Sequence, residues 1–173
     1  MLTPPLPARA PGRIILPEVT QVNMHATNAD GTGAWSSANR GIYMPFIAPH
    51  TCAVTAMQFF CGSGTNNHDL GLYDAAGNKL ISRGQTATTA GALNTWTLGT
   101  PQPIEQGVLY WGAMSMVSTL PSVTRVAPNL IGGLSYGGIA TQVSVATLPA
   151  TANFGLMIGA ITIPILCLLI SWP

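Results

Sequence analysis

The chain has 173 residues, room for one domain with a substantial core and too few for two ordinary ones. Six Lys and Arg against five Asp and Glu make it 6% charged with a net charge of +1, where about 25% charged is usual, which excludes the strongly basic or acidic surface of a nucleic-acid binder. Apolar residues at 47% exclude a disordered chain, and so little charge leaves two ways to stay dispersed: a membrane, or a surface covered by partners.

In chain order, residues 1–17 come first and hold Pro4, Pro5, Pro7, Pro11 and Pro17. Proline at this density removes amide donors and favours polyproline-like extension, so an arm is expected ahead of a single β-domain over 18–173, either a disordered terminus or an extended segment that docks on a neighbouring subunit. The stretch lacks the apolar run of a signal peptide. Three cysteines, Cys52, Cys61 and Cys167, do not make a disulfide framework, and synthesis in a reducing cytoplasm is the expectation.

From Val19 onward the texture is short apolar or alternating runs split by turn residues. Residues 28–33 read as a loop, and 41–47 as a strand in which Pro45 marks an edge or a bulge. Residues 53–60 form a strand ending at the turn 62–64. Residues 69–73 and 78–82 form a hairpin about the turn 74–77, where Asp74 and Gly77 suit a type I turn. Trp96 and Leu98 make a short strand before a turn at Pro101 and Pro103. Residues 108–116 alternate, with Val108, Tyr110, Gly112, Met114 and Met116 on one side and Leu109, Trp111, Ala113 and Ser115 on the other. Residues 139–145 repeat the pattern. The nineteen Gly and fourteen Pro argue against long helices, and the whole predicts an antiparallel β-sandwich or jelly roll.

No charged residue follows Arg125, and 156–172 is nearly all apolar. That run is shorter than the roughly 20 residues of a spanning helix, contains Gly159 and Pro164, and lacks Lys or Arg flanks. Within the apolar tail 154–173 it predicts two β-segments, 154–161 and 165–172, buried on both faces or against another subunit, with a membrane anchor as the lesser alternative.

The motifs that could carry chemistry are weak. Gly133 to Gly137 matches a nucleophile elbow around Ser135, but no His or acid follows it. His50, Cys52, Cys61 and His68 lack the paired spacing of a zinc site. Asp30, Asp69, Asp74, Glu18 and Glu105 make neither a glycosidase pair nor a calcium loop. No phosphate-binding glycine loop is present, and no cofactor or metal is expected. Of Trp35, Trp96, Trp111, Trp172, Tyr43, Tyr73, Tyr110 and Tyr136, alternation places most inside the sandwich. Trp35, in a polar loop, is expected at the surface or against a partner, and Trp35, Arg40 and Trp172 are the candidate partner or glycan contacts.

Three segments in a fixed order suggest a family. They are Asn39-Arg-Gly-Ile-Tyr-Met-Pro-Phe46 (preceded by Trp35), His68-Asp-Leu-Gly-Leu-Tyr-Asp-Ala-Ala-Gly-Asn-Lys-Leu80, and Gly107-Val-Leu-Tyr-Trp-Gly-Ala-Met114. Together, over about residues 30–116, they resemble tailed-bacteriophage structural proteins, with Trp111 standing where those carry a second Tyr. The resemblance implies a virion β-sandwich similar to carbohydrate-binding modules, in a head-decoration, fibre or tail-associated protein. The expectation is a non-enzymatic virion component, assembled in the host cytoplasm, that forms homo-oligomers and docks on capsid or tail proteins. It binds neither nucleic acid nor membrane in this reading. The alternative is a module that attaches to host-surface glycans.

Overall fold

The computed structural model describes residues 12–16, 29–35, 37–64, 66–119, 121–126, 139–156 and 163–172. Among these residues every regular element is a strand: β1 (Gly12–Leu16), β2 (Ala29–Ala34), β3 (Arg40–Ile47), β4 (Cys52–Ser63), β5 (Asn67–Asp74), β6 (Lys79–Ser82) and β7 (Thr86–Ala87). There follow β8 (Ala92–Ile104), β9 (Leu109–Met116), β10 (Ser122–Val126), β11 (Ala140–Gln142), β12 (Gly155–Leu156), β13 (Ile163–Pro164) and β14 (Leu166–Ser171).

They form two antiparallel sheets. Sheet A runs β1-β14-β4-β10-β13, with β2 also on β10 and β8 on β4; sheet B runs β12-β11-β3-β9-β5-β6, with β7 on β5. The shared core takes Val54, Met57, Phe59, Leu166, Leu168 and Ile170 from sheet A and Ile42, Met44, Leu70, Leu72, Met114 and Met116 from sheet B. Alternation along each strand supplies one apolar face per sheet, and burying those two faces against each other gives a β-sandwich.

Most expected strands are present. The 74–77 turn has its closing bond, Gly77 N–H to Asp74 O at 3.1 Å, and Gly77 sits at φ +85°, which favours glycine. Pro45 faces Trp111 on β9, and β11 reaches only Gly41 to Tyr43, so among the described residues no strand pairs on the other side of β3 beside the proline, as an edge position requires.

Four expectations need correction. Residues 12–16 belong not to an arm but to sheet A, paired with β14 from Gly12↔Ile170 to Leu16↔Leu166, and Ile14 is buried in the core; residues 1–11 and 17 lie outside the described residues. Pro101 and Pro103 make no turn and run within β8. Among the described residues that strand pairs only with β4, so its other edge loses no ladder bond there to a missing N–H, and the register shift from Val54↔Gln102 to Ala56↔Thr97 absorbs the extra residues. The strand expected over 139–145 stops at Gln142, and Ser144 takes φ +60° as the chain turns away. Finally, of the two readings of the last segment, burial on both faces within the chain does not hold: Leu166, Leu168 and Ile170 point into the core, while Cys167, Leu169 and Ser171 are half-exposed on the outer side, the side a second subunit would have to cover. Of 154–161, Gly155–Leu156 forms β12, and 157–162 lie outside the described residues.

Candidate interaction surfaces

The outer face of sheet B is covered by the chain itself. Residues 143–154 cross it and build a second apolar cluster of Tyr43, Tyr73, Ala113, Ala140, Val145, Leu148 and Ala152, flanked by Trp111 and Phe154. For this reason both sides of β9 are buried beyond Trp111. Phe154 stacks on Trp111 at 4.2 Å between ring centroids and meets Tyr43 edge-on at 5.3 Å.

Polar groups fix the crossing segment by its backbone. The Asp69 carboxylate accepts the amides of Leu148 (2.9 Å) and Gly84 (2.8 Å). The Ser115 hydroxyl donates to Ala146 O (2.9 Å), as does Gln85 Nε2. Tyr73 donates to Pro149 O (2.7 Å) and Lys79 Nζ to Leu148 O (2.9 Å). Asn39, at φ +51°, presents its carbonyl to Val145 N–H (2.6 Å), and Tyr43 donates to Gln142 Oε1 (3.1 Å). Burial pushes Asp69 above its ordinary range, against the pull of its amide donors and of Lys79. Burial likewise raises Tyr43 to about 12 and raises Tyr73 further.

The motif residues quoted from the sequence therefore share one task. Asp69 and Tyr73 grip the crossing segment, Gly71 leaves room for it, Asp74 and Gly77 form the turn beside it, and Trp111 stacks under it. Period-two reading places these side chains on one face but gives no sign of what covers that face.

The three residues expected to contact partners are not brought together. Trp35 is 1% exposed, inside the core, with its amide on Pro121 O at 2.9 Å and its indole Nε1 buried without a hydrogen-bond partner. This overturns its expected exposure: its polar neighbours sit at a strand end, where the large indole closes the end of the sandwich. Arg40 is half-buried in the row Arg40–Met116–His68, on the core-facing side of sheet B, and its Nε is buried without a partner. In the same row His68 is fully buried, bonds Thr88 Oγ1 through Nδ1 at 2.9 Å, and meets Phe59 edge-on. Its pKa falls to about 4, chiefly through burial and secondarily through Arg83.

Trp172 lies at the opposite end of β3, half-buried, with the exposed His50 ring against its indole at 4.9 Å. Around this rim stand exposed Ile47, Thr51, Gln106 and Val108, joined by bonds such as Gln106 N–H to Thr51 Oγ1 (3.2 Å). Trp172 also packs against the shared core, so like Arg40 it is partly covered.

The outer face of sheet A escaped the sequence reading. Cross-strand registers put Leu93 beside Phe60, Thr95 beside Gln58 and Cys167, and Thr97 beside Ala56, Leu169 and Arg13. Leu93 is 57% and Phe60 39% exposed, and Arg13 is the only charged side chain in these rows. The signal was present in the uncharged outward positions of β4 and β8.

Cys52 and Cys61 stand at opposite ends of β4, so they do not meet in one ligand set; all three cysteines are free, and burial raises their pKa values. Among the described residues no three or more His, Cys, Asp or Glu gather as a metal site, and no helix is long and apolar enough to cross a membrane. Ser135 lies outside the described residues. No family model, curated protein or solved structure matches the chain.

Proposed function

We propose that the chain is a non-enzymatic structural component of a tailed-bacteriophage virion, a β-sandwich that assembles with copies of itself and docks on capsid or tail proteins. The observation that carries the assembly role is the contrast between the two outer faces. Sheet B is covered by residues 143–154 of the same chain, whereas sheet A presents Leu93, Phe60, Cys167 and Leu169 with a single cation. Covering such a face releases water from apolar area and desolvates little charge, so association there is favoured by burial alone. The virion assignment is supported by the resemblance of the three motif segments. Mass spectrometry of purified particles, followed by localisation in a particle reconstruction, tests it. The chain is expected in intact virions in fixed proportion to the capsid protein; its absence from washed particles contradicts the assignment.

The rim of Trp172 and His50 supports the second reading, attachment to host-surface glycans, because an aromatic beside polar side chains is suited to stacking on a sugar ring. Trp35 offers no such surface. Glycan-array binding that Trp172→Ala abolishes favours attachment; an array blank for both proteins removes it.

A further inference from the structure

Three buried N–H-bearing side chains without a hydrogen-bond partner gather at one end of the sandwich, through Trp35 Nε1, Arg40 Nε and His68 Nε2. Arg40 and His68 flank Met116 in one cross-strand row on the core-facing side of sheet B. Trp35 belongs to the same core, and only the short turn at 38–39 separates it from Arg40. Sheet A meets both at this end. Trp35 follows the pair Ala34↔Ser122, which adjoins Ser63 at the end of β4, and His68 meets Phe59 of the same strand at 4.8 Å between ring centroids. Two further unpartnered groups belong to the outer face of sheet B, where Trp111 stacks on Phe154 and Gln85 reaches Ala146.

We propose that this end of the sandwich binds a carboxylate, held by the Arg40 guanidinium with the Trp35 indole N–H and the His68 Nε2–H beside it. A buried N–H without an acceptor is costly, and more so on a charged group, so an acceptor brought from outside relieves that cost. Asp69, next to His68 in sequence, does not serve here, because its carboxylate holds the amides of Leu148 and Gly84 on the other face. A guanidinium that uses Nε as one tine of its fork presents two parallel N–H groups, which match the two oxygens of a carboxylate. His68 is neutral near pH 7, its pKa lowered to about 4, so Arg40 brings one positive charge to one negative charge. Nε2 of His68 carries the proton when the Thr88 hydroxyl donates to Nδ1, a tautomer that the 2.9 Å contact allows. Asn39 Oδ1 is also buried without a partner, and a half-turn of its amide puts a donor in that place. Arg40 is half-buried, so the approach from solvent is on its side. This end lies across β3 from Trp172 and needs neither virion nor glycan, so the site can fail while both earlier readings stand.

Titration of the isotope-labelled full-length protein with sodium acetate at neutral pH, followed through the indole N–H resonances, tests the site; Trp35→Phe assigns the Trp35 signal. Acetate should move the Trp35 resonance to saturation and leave those of Trp96 and Trp111 in place, while sodium chloride at equal ionic strength should move none of them. Arg40→Gln should weaken acetate binding by about tenfold or more, the loss of one charge-assisted bond. Arg40→Lys keeps the charge without the fork and should fall between the two. The Trp96 and Trp111 signals report whether each variant is folded. A Trp35 resonance that acetate leaves in place, that chloride moves equally, or that responds undiminished in a folded Arg40→Gln protein overturns the proposal. If neither Arg40 variant folds, the contrast of acetate with chloride on the parent decides it.

Discussion

Gly71 has no room for a side chain. A Cβ there would lie 2.8 Å from Leu148 Cδ1 and 3.0 Å from the Ile81 carbonyl, so the crossing segment can approach β5 only where the side chain is missing. Gly71→Ala should cost about 1–3 kcal/mol in urea denaturation, the usual range for overpacking. Gly99→Ala, with nothing within 4 Å, should stay within about 0.5 kcal/mol of the parent. His68 sets a pH dependence. Its pKa drops from 6.5 to about 4 on folding, so between these values the unfolded chain binds the proton and the native chain does not. The stability His68 allows is complete above pH 6.5 and is lost as pH falls toward 4, by up to about 3 kcal/mol. Asp69 has the opposite sign, because its raised pKa lets the native state take up a proton first as pH falls. Urea titrations across this range should show the acid loss in the parent, and His68→Phe should remove most of it and let the opposing Asp69 effect show, with Asp74, whose pKa is lowered by its bonds to Asn78, keeping a small acid loss.

The crossing segment is the element on which most of the polar design converges. Tyr73→Phe removes one hydroxyl bond to Pro149 and should cost about 1 kcal/mol. Asp69→Asn turns one acceptor into a donor facing an amide, and should cost about 1–3 kcal/mol because a buried N–H loses its partner. Hydrogen exchange locates both effects: the Leu148 amide should lose protection in Asp69→Asn, while amides in the core strands β4 and β9 keep theirs unless global unfolding carries the exchange. The hairpin β5–β6 was legible in the sequence because its information is local, in Asp74, Gly77 and the alternation either side. The course of 143–154 was not, because Asp69 and Ser115 hold backbone groups, whose partners leave no pattern in side-chain type. The same limit applies at Trp35, where polar neighbours describe the loop and not the direction of the ring. Period-two reading placed neither Arg40 nor Trp172: both are half-buried, Arg40 in its row with Met116 and His68 and Trp172 against the core.

At the scale of the molecule, scarce charge had two readings, membrane or covered surface. The fold divides the question by face. Sheet B is closed by its own chain, and β8 is guarded at its edge by Pro101 and Pro103, which among the described residues leaves the broad side of sheet A as the uncovered apolar surface. The apolar tail contributes to that side through Cys167 and Leu169 while its alternate residues fill the core. If assembly is the purpose of this surface, placing charge on it should disperse the chain without unfolding it. Sedimentation velocity of the full-length protein beside its Phe60→Lys/Leu93→Lys variant measures this directly. The account predicts oligomers for the parent and smaller species for the variant, with unchanged circular dichroism. A parent chain that sediments as a single monomer across the micromolar range would contradict it.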